Sequence, residues 1–508
     1  MTGEKIFKDL AALTAWSNSR SVEIAHCHGC FDLLHPGHLA HLEAARALAD
    51  CLVVTITADR YVNKGPDRPI FPAEVRARML AALACVDAVA IVDDPSALPA
   101  IEAIRPDVYV KGPDYAEPGR DITGKIEAER EAVERHGGRI HFTDDFAYSS
   151  SNLINQHLSG RSPELKAVLR EFRESGAQGR ISDLMRRAHG LRALVIGDTI
   201  IDEYLFCDAL GKASKEPILA VGLQGREAWA GGVIAAANHA AAICARVDVE
   251  TIVTPDLRVE ALIDLALRPN VFLQGHACAG ATTWKTRYVE RGFNRKVFEV
   301  YGADAGRLTL QSREQLDRHL AARAAEFDLT IVTDFGHGLI EPSTIAALQG
   351  SARFLAVNAQ TNAGNLGFNP ITRYTRADYI CLDLPEARLA LGRQKIGAQD
   401  AALEIAERCG CPRVVVTQGR KGCVTHSDVP VHGSVEIPAF TSDGVIDTVG
   451  AGDAFFAVTA PLAACPGSDL RDIALVGNAA AALKVAVLGH RQSTDRLALM
   501  RYVETLLK

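Results

Sequence analysis

Hydrophobic and polar positions follow two alternating periods along this chain. Short apolar runs, typical of buried strands, are followed by longer segments with apolar residues at helical spacing. In the first third, the runs predict strands at residues 22–25, 52–56, 88–92, 108–110 and 139–142. The apolar residues Leu39, Leu42, Ala45 and Ala49 predict an amphipathic helix over residues 39–49. This alternation predicts an α/β fold with parallel sheets.

A change of pattern divides the chain in two. Residues 159–190 are charged, lack β-branched runs and contain several glycines, which predicts a linker with exposed helix. A second series of apolar runs follows at residues 193–196, 330–333, 354–357, 379–382 and 413–417. The predicted organisation is therefore a domain over residues 1–158, a linker over 159–190 and a second domain over 191–508.

Composition narrows the class of protein. Hydrophobic residues make up 48% and charged residues 23% of the 508 positions, which excludes a largely disordered chain. The net charge of -7 argues against nucleic acid as a partner. Neither a secretory signal nor an apolar run of about 20 residues is evident, and 12 scattered cysteines are typical of reduced thiols. We expect a cytoplasmic protein that acts on small molecules, without a membrane or nucleic-acid partner.

A histidine motif follows the first predicted strand. His35, Pro36, Gly37 and His38 lie where a loop passes into the predicted helix. The N-terminus of a helix offers unpaired N–H groups and the positive end of a dipole. Imidazoles at that point can donate hydrogen bonds to phosphate oxygens, while Gly37 allows close approach of the backbone. The motif predicts a phosphate-binding site.

The string GCFDLLHPGH at residues 29–38 resembles the signature of the HxGH nucleotidyltransferases, the cytidylyltransferase-like superfamily. Residues 25–157 more closely resemble the adenylyltransferase domain of bifunctional ADP-heptose synthases. The further matches, in order, are Lys64-Gly65, Arg68-Pro69, Glu74, Arg76, VKGPDY at residues 110–115 and YSSSNLIN at residues 148–155. Class I aminoacyl-tRNA synthetases also carry HxGH, but no matching KMSKS-type lysine loop is found and the acidic chain suits tRNA poorly.

This resemblance implies a Rossmann-like domain in which a sugar 1-phosphate oxygen attacks the α-phosphate of a nucleoside triphosphate and releases pyrophosphate. His35, His38 and Lys64 are the implied catalytic residues, which act by positioning and electrostatics. The implied nucleotide- and phosphate-binding residues are Cys30, Phe31, Gly37, Lys111, Ser149, Ser150 and Ser151. Asp32 either holds a loop or faces a metal ion, and a plain turn residue is an equal alternative. For the C-x-x-C pair of Cys27 and Cys30 we expect a packing role, because one pair alone is insufficient for zinc.

A glycine-rich string stands near the C-terminus, DTVGAGD at residues 447–453, followed by an apolar helix. Gly450 and Gly452 permit a tight turn whose backbone N–H groups face an anion. Asp453 at the start of the helix can accept a hydroxyl proton. These residues alone leave open a plain helix-capping role for Asp453.

The whole string resembles the C-terminal signature of the ribokinase-like (PfkB) sugar kinases, and other motifs in residues 190–508 support that resemblance. It implies a ribokinase-like α/β domain with a small β lid, in which Asp453 is the general base. The implied phosphate- and nucleotide-binding residues are Gly450, Ala451, Gly452, Thr417 and Gly419. The implied sugar-binding residues are Asp198, Asp202, Gly231, Gly232, Lys285 and Arg287, and the implied Mg²⁺ ligands are Asp383 and Glu386.

Several positions depart from the heptose kinases. Ala235 stands near the place of a sugar-binding asparagine, which appears only at Asn238, and Asp383 replaces the asparagine of an N-x-x-E motif. The usual Asp-Pro-Lys is Asn-Ala-Gln at residues 358–360. It opens an amide-rich region, residues 358–369, that is either a polar surface loop or a rebuilt substrate or partner site. The domain order is also reversed relative to the bifunctional heptose enzymes.

Three functional hypotheses follow. The leading one is a bifunctional sugar kinase and sugar-1-phosphate nucleotidyltransferase that uses ATP and Mg²⁺ to make an activated sugar such as ADP-heptose. A second is a cytidylyltransferase that uses CTP to make a CDP-sugar or CDP-polyol. In a third, the kinase-like half is a non-catalytic binding or dimerisation module. The resemblance to ribokinases also implies a homodimer formed through lid strands.

Overall fold

The structure, a computed structural model, describes residues 5–66, 68–112, 125–143, 161–277, 281–302, 308–428, 434–440 and 444–508. It divides into two compact units, Met1–Gly160 with Met500–Lys508, and Arg161–Leu499. The predicted phosphate-binding residues Ser149, Ser150 and Ser151 lie outside the described residues.

The first unit is built on a parallel sheet. Its strands in the described residues are β1 (Ile6–Phe7), β2 (Ile24–Gly29), β3 (Cys51–Thr57), β4 (Ala88–Val92), β5 (Val108–Lys111) and β6 (Arg139–Phe142). Its helices there are α1 (Leu10–Asn18), α2 (Pro36–Arg46), α3 (Ala73–Ala81), α4 (Leu98–Ile104) and α5 (Ile126–Arg135). The strand order is β1-β4-β3-β2-β5-β6, and each pair of neighbouring strands is parallel.

The strand order creates a switch point in this sheet. From β2 the chain proceeds outward on one side to β3 and β4, and then returns to place β5 on the other side of β2. In open α/β sheets, ligands bind at the carboxyl ends of the strands at such a point. The loop that leaves β2 therefore lies at the expected place for a binding site.

The second unit contains two sheets. Its strands in the described residues are β7 (Arg192–Gly197), β8 (Thr199–Lys212), β9 (Leu219–Gly232), β10 (Arg246–Val253), β11 (Val271–Ala277), β12 (Thr283–Glu290), β13 (Arg295–Tyr301), β14 (Leu329–Asp334), β15 (Leu355–Ala359), β16 (Tyr379–Asp383), β17 (Arg413–Thr417), β18 (Cys423–Ser427) and β19 (Val435–Ile437). The main sheet has the order β11-β10-β7-β14-β15-β16-β17-β18-β19. It is parallel from β11 to β17 and antiparallel for the last two strands.

The smaller sheet has the order β13-β12-β8-β9 and is called the lid sheet below. It leaves the main sheet directly after β7, because β8 begins two residues beyond the end of β7. In the main sheet, β7 lies between β10 and β14, so a second switch point falls between β7 and β14. The prediction of α/β units with parallel sheets and a small β lid is confirmed.

Helices cover the main sheet of the second unit. Those in the described residues are α6 (Pro163–Glu174), α7 (Ala177–His189), α8 (Val233–Ala240), α9 (Leu257–Ala266), α10 (Leu310–Glu326), α11 (Pro342–Ser351), α12 (Leu384–Leu391), α13 (Ala398–Arg408), α14 (Ala451–Ala464) and α15 (Leu470–Val485). A last helix, α16 (Arg496–Leu507), begins in the second unit and ends in the first. A buried cluster that includes Leu194, Leu320 and Val332 joins the helix α10 to the strands β7 and β14. In the part of the chain that the structure describes, no helix combines the length and the apolar character needed to cross a bilayer.

The segment predicted as a linker differs from that expectation. The helices α6 and α7 bury apolar side chains such as Leu169, Phe172 and Leu184, and α7 packs against α14 and α15. The Nε of Arg180 lies 2.7 Å from an oxygen of the buried Asp472 on α15. The charged outer faces of these helices made the segment resemble a linker, whereas the buried apolar faces make residues 161–190 part of the second unit.

Candidate functional site

The first candidate site, called the histidine loop, spans residues 30–38. β2 ends at Gly29 and α2 begins at Pro36, so the loop lies at the carboxyl end of β2. The Nδ1 of His35 accepts a hydrogen bond from the Gly37 amide at 3.1 Å. Because this nitrogen is an acceptor, the neutral ring carries its proton on Nε2, where it can donate to an anion. The ring of His38 stacks on that of His35 with centroids 3.9 Å apart.

The environment keeps both imidazoles neutral. Burial lowers the pKa of His38 to about 3, and the neighbouring His35 and Lys64 act in the same direction. Burial, followed by the charge of Lys64, also lowers the pKa of His35. The Nδ1 of His38 is buried and has no hydrogen-bond partner within the described part of the chain. The structure thus brings these three predicted residues together, and neutral donors beside an ammonium suit phosphate oxygens.

The start of the loop is strained and held in place. Phe31 has a φ of 47°, in the left-handed region that a side chain rarely occupies. Its ring contacts that of His38 at a centroid distance of 5.3 Å. The fully buried Arg76 donates to the carbonyls of Cys30 and Phe71. This guanidinium joins the histidine loop to the segment before α3, a role that the sequence motif did not assign to it.

Asp32 has a structural role in this site. Its Oδ1 accepts hydrogen bonds from the amides of Ile70 and Phe71 at 2.7 and 3.2 Å. Its Oδ2 lies 2.7 Å from NH1 of Arg68, and both side chains are buried. Of the alternatives that the sequence left open, these contacts favour a residue that holds a loop.

Two other predicted positions differ in their surroundings. Lys111 ends β5, and its Nζ lies 2.8 Å from Oε2 of the buried Glu129 on α5. A triphosphate at this lysine would therefore share the ammonium with a carboxylate. In the C-x-x-C pair, Cys27 is fully buried in the core of the sheet, whereas the Sγ of Cys30 faces Arg76. Burial raises the pKa of both thiols, which favours packing over metal binding.

The second candidate site begins at the switch point between β7 and β14. Asp198 follows β7, and its two oxygens accept hydrogen bonds from the amides of His337 and Leu339 at 3.1 and 2.9 Å. Burial, together with the nearby Asp334, raises the pKa of Asp198 to about 6. This predicted sugar-binding residue thus orders the loop after β14. Gly232 adjoins it with a φ of 55°, and a Cβ there would lie 2.5 Å from the Asp198 carbonyl.

The glycine turn lies before α14. Gly450 has a φ of 77°, and a Cβ there would lie 2.9 Å from Cε1 of His490. The Nζ of Lys484 donates to the carbonyls of Val449 and Gly489 at 2.9 and 2.6 Å, which joins the turn to the loop after α15. Ala451 begins the helix, and a Cβ at Gly452 would meet nothing within 4 Å. Position 452 therefore leaves open space beside the start of the helix, as an anion site requires.

Asp453 lies in the first turn of α14 and is buried. Burial raises its pKa, an effect increased by Asp202 and opposed by the charges of His490, Lys285 and Lys484. A raised carboxyl pKa suits a general base, because proton transfer is most effective when the pKa lies near the working pH. These surroundings are those of a reactive carboxylate among cations.

A glutamine contacts this carboxylate directly. The Nε2 of Gln360 donates to Oδ1 of Asp453 at 2.8 Å. Gln360 follows the end of β15, and the resemblance to heptose kinases led us to expect a lysine at this position. In the sequence, this position departs from the Asp-Pro-Lys pattern of the heptose kinases, but the pattern indicated no role for the glutamine.

Asp202 forms the centre of a second cluster of charges. Its Oδ1 pairs with NH1 of Arg287, and its Oδ2 lies 3.2 Å from Nε2 of His490. Burial alone would raise the pKa of Asp202, but His490 and Arg287 hold it below its ordinary value. A Cβ at Gly231 would lie 2.0 Å from Oδ2 of Asp202, so only glycine fits there. His490 was absent from the sequence prediction, because no local motif surrounds it.

The lid sheet contributes cations to this site. Arg287 and Lys285 lie on β12, and burial lowers the pKa of Lys285. Lys296 on β13 binds Oδ1 of Asp447, the first residue of the glycine string, at 2.5 Å. The hydroxyl of Tyr204 on β8 donates to the other oxygen of Asp447 at 2.6 Å. The lid sheet thus contacts the glycine string through Tyr204 and Lys296, neither of which was predicted from the sequence.

The proposed Mg²⁺ ligands form a helix cap. Oδ1 of Asp383 accepts from the Glu386 amide at 2.7 Å, and Oε2 of Glu386 accepts from the Asp383 amide at 2.9 Å. Burial and the charge of Asp383 raise the pKa of Glu386 to about 8. Two carboxylates supply the oxygen ligands that Mg²⁺ prefers, so the residues fit a bound Mg²⁺. Thr417 is the register partner of Asp383 on the next strand, and Gly419 follows with a φ of 57°.

The amide-rich region, residues 358–369, is internally ordered. The Nδ2 groups of Asn362, Asn365 and Asn369 donate to main-chain carbonyls of Phe335, Gln360 and Asp334. These bonds connect the region to the end of β14 and fix the backbone on both sides of Gln360. Of the two alternatives for this region, the contact between Gln360 and Asp453 favours a part of the substrate site.

Comparison with known families agrees with these geometries. The family model of cytidylyltransferase-like proteins matches residues 26–156, which include the histidine loop. The model of the pfkB family of carbohydrate kinases matches residues 313–496, which include the glycine turn. The chain combines a cytidylyltransferase-like domain with a pfkB-family carbohydrate kinase domain.

Individual relatives resemble the N-terminal part of the chain. "Bifunctional protein HldE" of Koribacter versatilis is 47% identical over 134 residues, which are 26% of this chain and 26% of that protein. The HldE protein of Citrifermentans bemidjiense is 42% identical over 155 residues, 30% of each chain. Both matches concern the N-terminal part. This chain therefore matches less than a third of the length of these relatives.

Solved structures resemble the pfkB-family domain in fold. Phosphofructokinase-2 from Escherichia coli in complex with substrates and products has a TM-score of 0.51 at 15% identity, and the match covers 62% of this chain and 99% of that one. The same enzyme in complex with potassium has a TM-score of 0.50 at 16% identity, with the same coverage. At this identity the likeness shows a shared fold.

Proposed function

We propose that this protein is a bifunctional enzyme of nucleotide-sugar synthesis. One observation carries the proposal: a histidine loop and a glycine turn with a buried aspartate occur in one chain, each inside a domain of matching family. The N-terminal part is similar to bifunctional HldE proteins, which supports a heptose-like sugar as the substrate class. Because one fold can host many activities, the proposal depends on the residues of the two sites.

In the kinase reaction, the anomeric hydroxyl oxygen of the sugar attacks the γ-phosphorus of ATP. The hydroxyl proton passes to Asp453, the bond to the β-phosphate oxygen breaks and ADP leaves. The amides at the start of α14 stabilise charge on the transferred group, since the N-terminus of a helix offers unpaired N–H groups and the positive end of the dipole. Asp202, Arg287 and Lys285 orient the sugar. Asp383 and Glu386 would hold Mg²⁺, whose contribution is neutralisation of phosphate charge.

In the nucleotidyltransferase reaction, an oxygen of the sugar 1-phosphate attacks the α-phosphorus of ATP, and pyrophosphate leaves. The neutral rings of His35 and His38 donate hydrogen bonds to phosphate oxygens, and Lys64 supplies positive charge. The described cysteines are free thiols, which supports a cytoplasmic enzyme. A homodimer through the lid sheet is part of the proposal.

The test is mass spectrometry of the full-length protein with MgATP and D-glycero-β-D-manno-heptose 7-phosphate. We expect the 1,7-bisphosphate, and Asp453→Asn should abolish it while nucleotidyl transfer to a sugar 1-phosphate remains normal. ATP and CTP are compared in that second assay, because preference for CTP would select the CDP-sugar alternative. Loss of both activities in a folded Asp453→Asn protein would contradict independent sites.

One observation favours a second candidate, a kinase-like half that binds a ligand without catalysis. Asp453 already accepts a bond from Gln360, and Asp202 is already paired with Arg287 and His490. In that case, the wild-type protein would bind ATP or sugar phosphate but leave ATP unconsumed in the same assay.

A further inference from the structure

A cluster of metal-ligating side chains lies outside both candidate sites. Glu250 on β10, His276 on β11 and His319 on α10 come from three separate elements, and their ligand atoms all lie within 4.8 Å of one another. His276 is at the edge of the main sheet, since β11 is the terminal strand. We propose that these three residues form a binding site for a divalent transition metal ion of the zinc type, which clamps α10 to the sheet edge.

The geometry brings two imidazoles onto one carboxylate. Nε2 of His276 lies 2.6 Å from Oε2 of Glu250, and Nε2 of His319 lies 3.1 Å from its Oε1. Around a tetrahedral zinc ion with bonds of roughly 2.0–2.2 Å, neighbouring ligand atoms lie about 3.3 Å apart. Nε2 of His276 and Oε2 of Glu250, which lie 2.6 Å apart, thus need to separate by about 0.7 Å to admit the ion.

Access and ligand type both suit a metal ion. The side chain of Glu250 is 1% exposed, whereas those of His276 and His319 are 21% and 40% exposed. The carboxylate therefore forms a buried floor, and the partly exposed imidazoles provide an entry path from solvent. Two nitrogens and one oxygen leave a fourth position for water, a ligand set typical of zinc and related first-row ions.

Charged side chains of β10 and α10 surround the cluster. Arg323, one turn beyond His319 on α10, donates from Nε to Oε1 of Glu250 at 3.3 Å. Its other nitrogens bind Asp248 and Glu326 at 2.6 and 2.8 Å. Asp248 also binds a second arginine, Arg246, at 2.6 Å. In these ion pairs three carboxylates accompany two guanidinium groups, which favours a cation, and Arg323 serves to orient the ligating carboxylate.

The test uses full-length protein treated with EDTA, dialysed and titrated with Zn²⁺ by calorimetry. We expect His276→Ala and His319→Ala each to lose one equivalent of zinc per chain, with affinity at that site reduced by more than about 100-fold. The matched control is His136→Ala, because His136 also pairs with a glutamate, Glu102 at 2.6 Å, but lacks a second histidine. It should keep the wild-type stoichiometry.

Spectroscopy on the wild-type protein makes the result independent of variant folding. Zinc X-ray absorption should show nitrogen and oxygen ligands without sulfur, and Co²⁺ should give visible bands of a low-coordinate site that His276→Gln removes. The proposal is overturned if the wild type binds no zinc, if both histidine variants keep the wild-type stoichiometry, or if the bound zinc has sulfur ligands. The cluster would then be a hydrogen-bonded ion-pair group that fastens α10 without metal.

Discussion

The hydrogen bond from Gln360 to Asp453 makes a quantitative prediction about the kinase reaction. The amide donates to Oδ1 at 2.8 Å, and it stabilises the ionised carboxylate more than the protonated acid. Removing the donor in Gln360→Ala therefore raises the pKa of Asp453 beyond the increase that burial already produces. Since the base acts only when it is ionised, the acid limb of the pH profile moves to higher pH.

The size of the shift follows from the energy of one bond. A hydrogen bond to a charged group contributes about 1.5–3 kcal/mol, and one pKa unit corresponds to about 1.36 kcal/mol. The protonated acid retains part of the interaction, so we expect a shift of about one unit rather than two. On the acid limb, kcat/KM would fall about tenfold, with little change on the plateau at higher pH.

The assay is phosphoryl transfer from MgATP to the sugar phosphate, measured as kcat/KM across about pH 5 to 9. Gln360→Glu should move the acid limb further, because a second carboxylate beside Asp453 disfavours its ionisation. Gln349→Ala is the matched control, since its Nε2 donates to the Arg376 carbonyl at 2.9 Å and touches neither site. An unchanged profile, or an equal loss at every pH, would refute the assignment of Gln360 as a positioning residue for the base.

Three further substitutions test the two sites. Gly231→Ala would place a Cβ 2.0 Å from Oδ2 of Asp202 and break its buried pair with His490. We therefore expect a higher KM for the sugar and a free energy of unfolding that is lower by about 3–5 kcal/mol. An unchanged KM and melting temperature would count against this packing. His38→Ala should lower nucleotidyl transfer by roughly 10²-fold or more, and a change of a few-fold would remove that ring from the mechanism. Arg76→Met removes a fully buried guanidinium that binds three main-chain carbonyls. Denaturant unfolding should therefore show a free energy of unfolding that is lower by about 3–5 kcal/mol. A decrease below about 1 kcal/mol would contradict the role of Arg76 in holding the loop.

Local sequence patterns determined much of the architecture. The predicted strand at residues 88–92 coincides with β4, because an uninterrupted apolar run is sufficient to mark a buried parallel strand. The first strand is displaced instead, from residues 22–25 to Ile24–Gly29. It contains His26 and His28, whose rings both bond Oγ1 of Thr55 on the neighbouring strand. Only that pairing makes imidazoles acceptable in a sheet interior.

A strand that carries charged residues was missed by the sequence prediction for a similar reason. β10 carries Asp248 and Glu250 on one face, which interrupts the apolar pattern that predicts strands. The structure satisfies both carboxylates with Arg323 from α10, far along the chain. The sequence pattern cannot show such compensation, because the partners meet only after the sheet and helix have packed.

Each candidate site also combines features that the local sequence sets with contacts that only the folded chain makes. The sequence by itself determined the histidine loop and the glycine turn, because a helix start, a tight turn and a phosphate-facing backbone are set by neighbouring residues. Only the tertiary structure brought His490 to Asp202 and Gln360 to Asp453. The side chains of His490 and Gln360 come from loops that follow separate elements, and they meet their partners where parallel strands end. The folded sheet, not the local sequence, therefore decides those contacts.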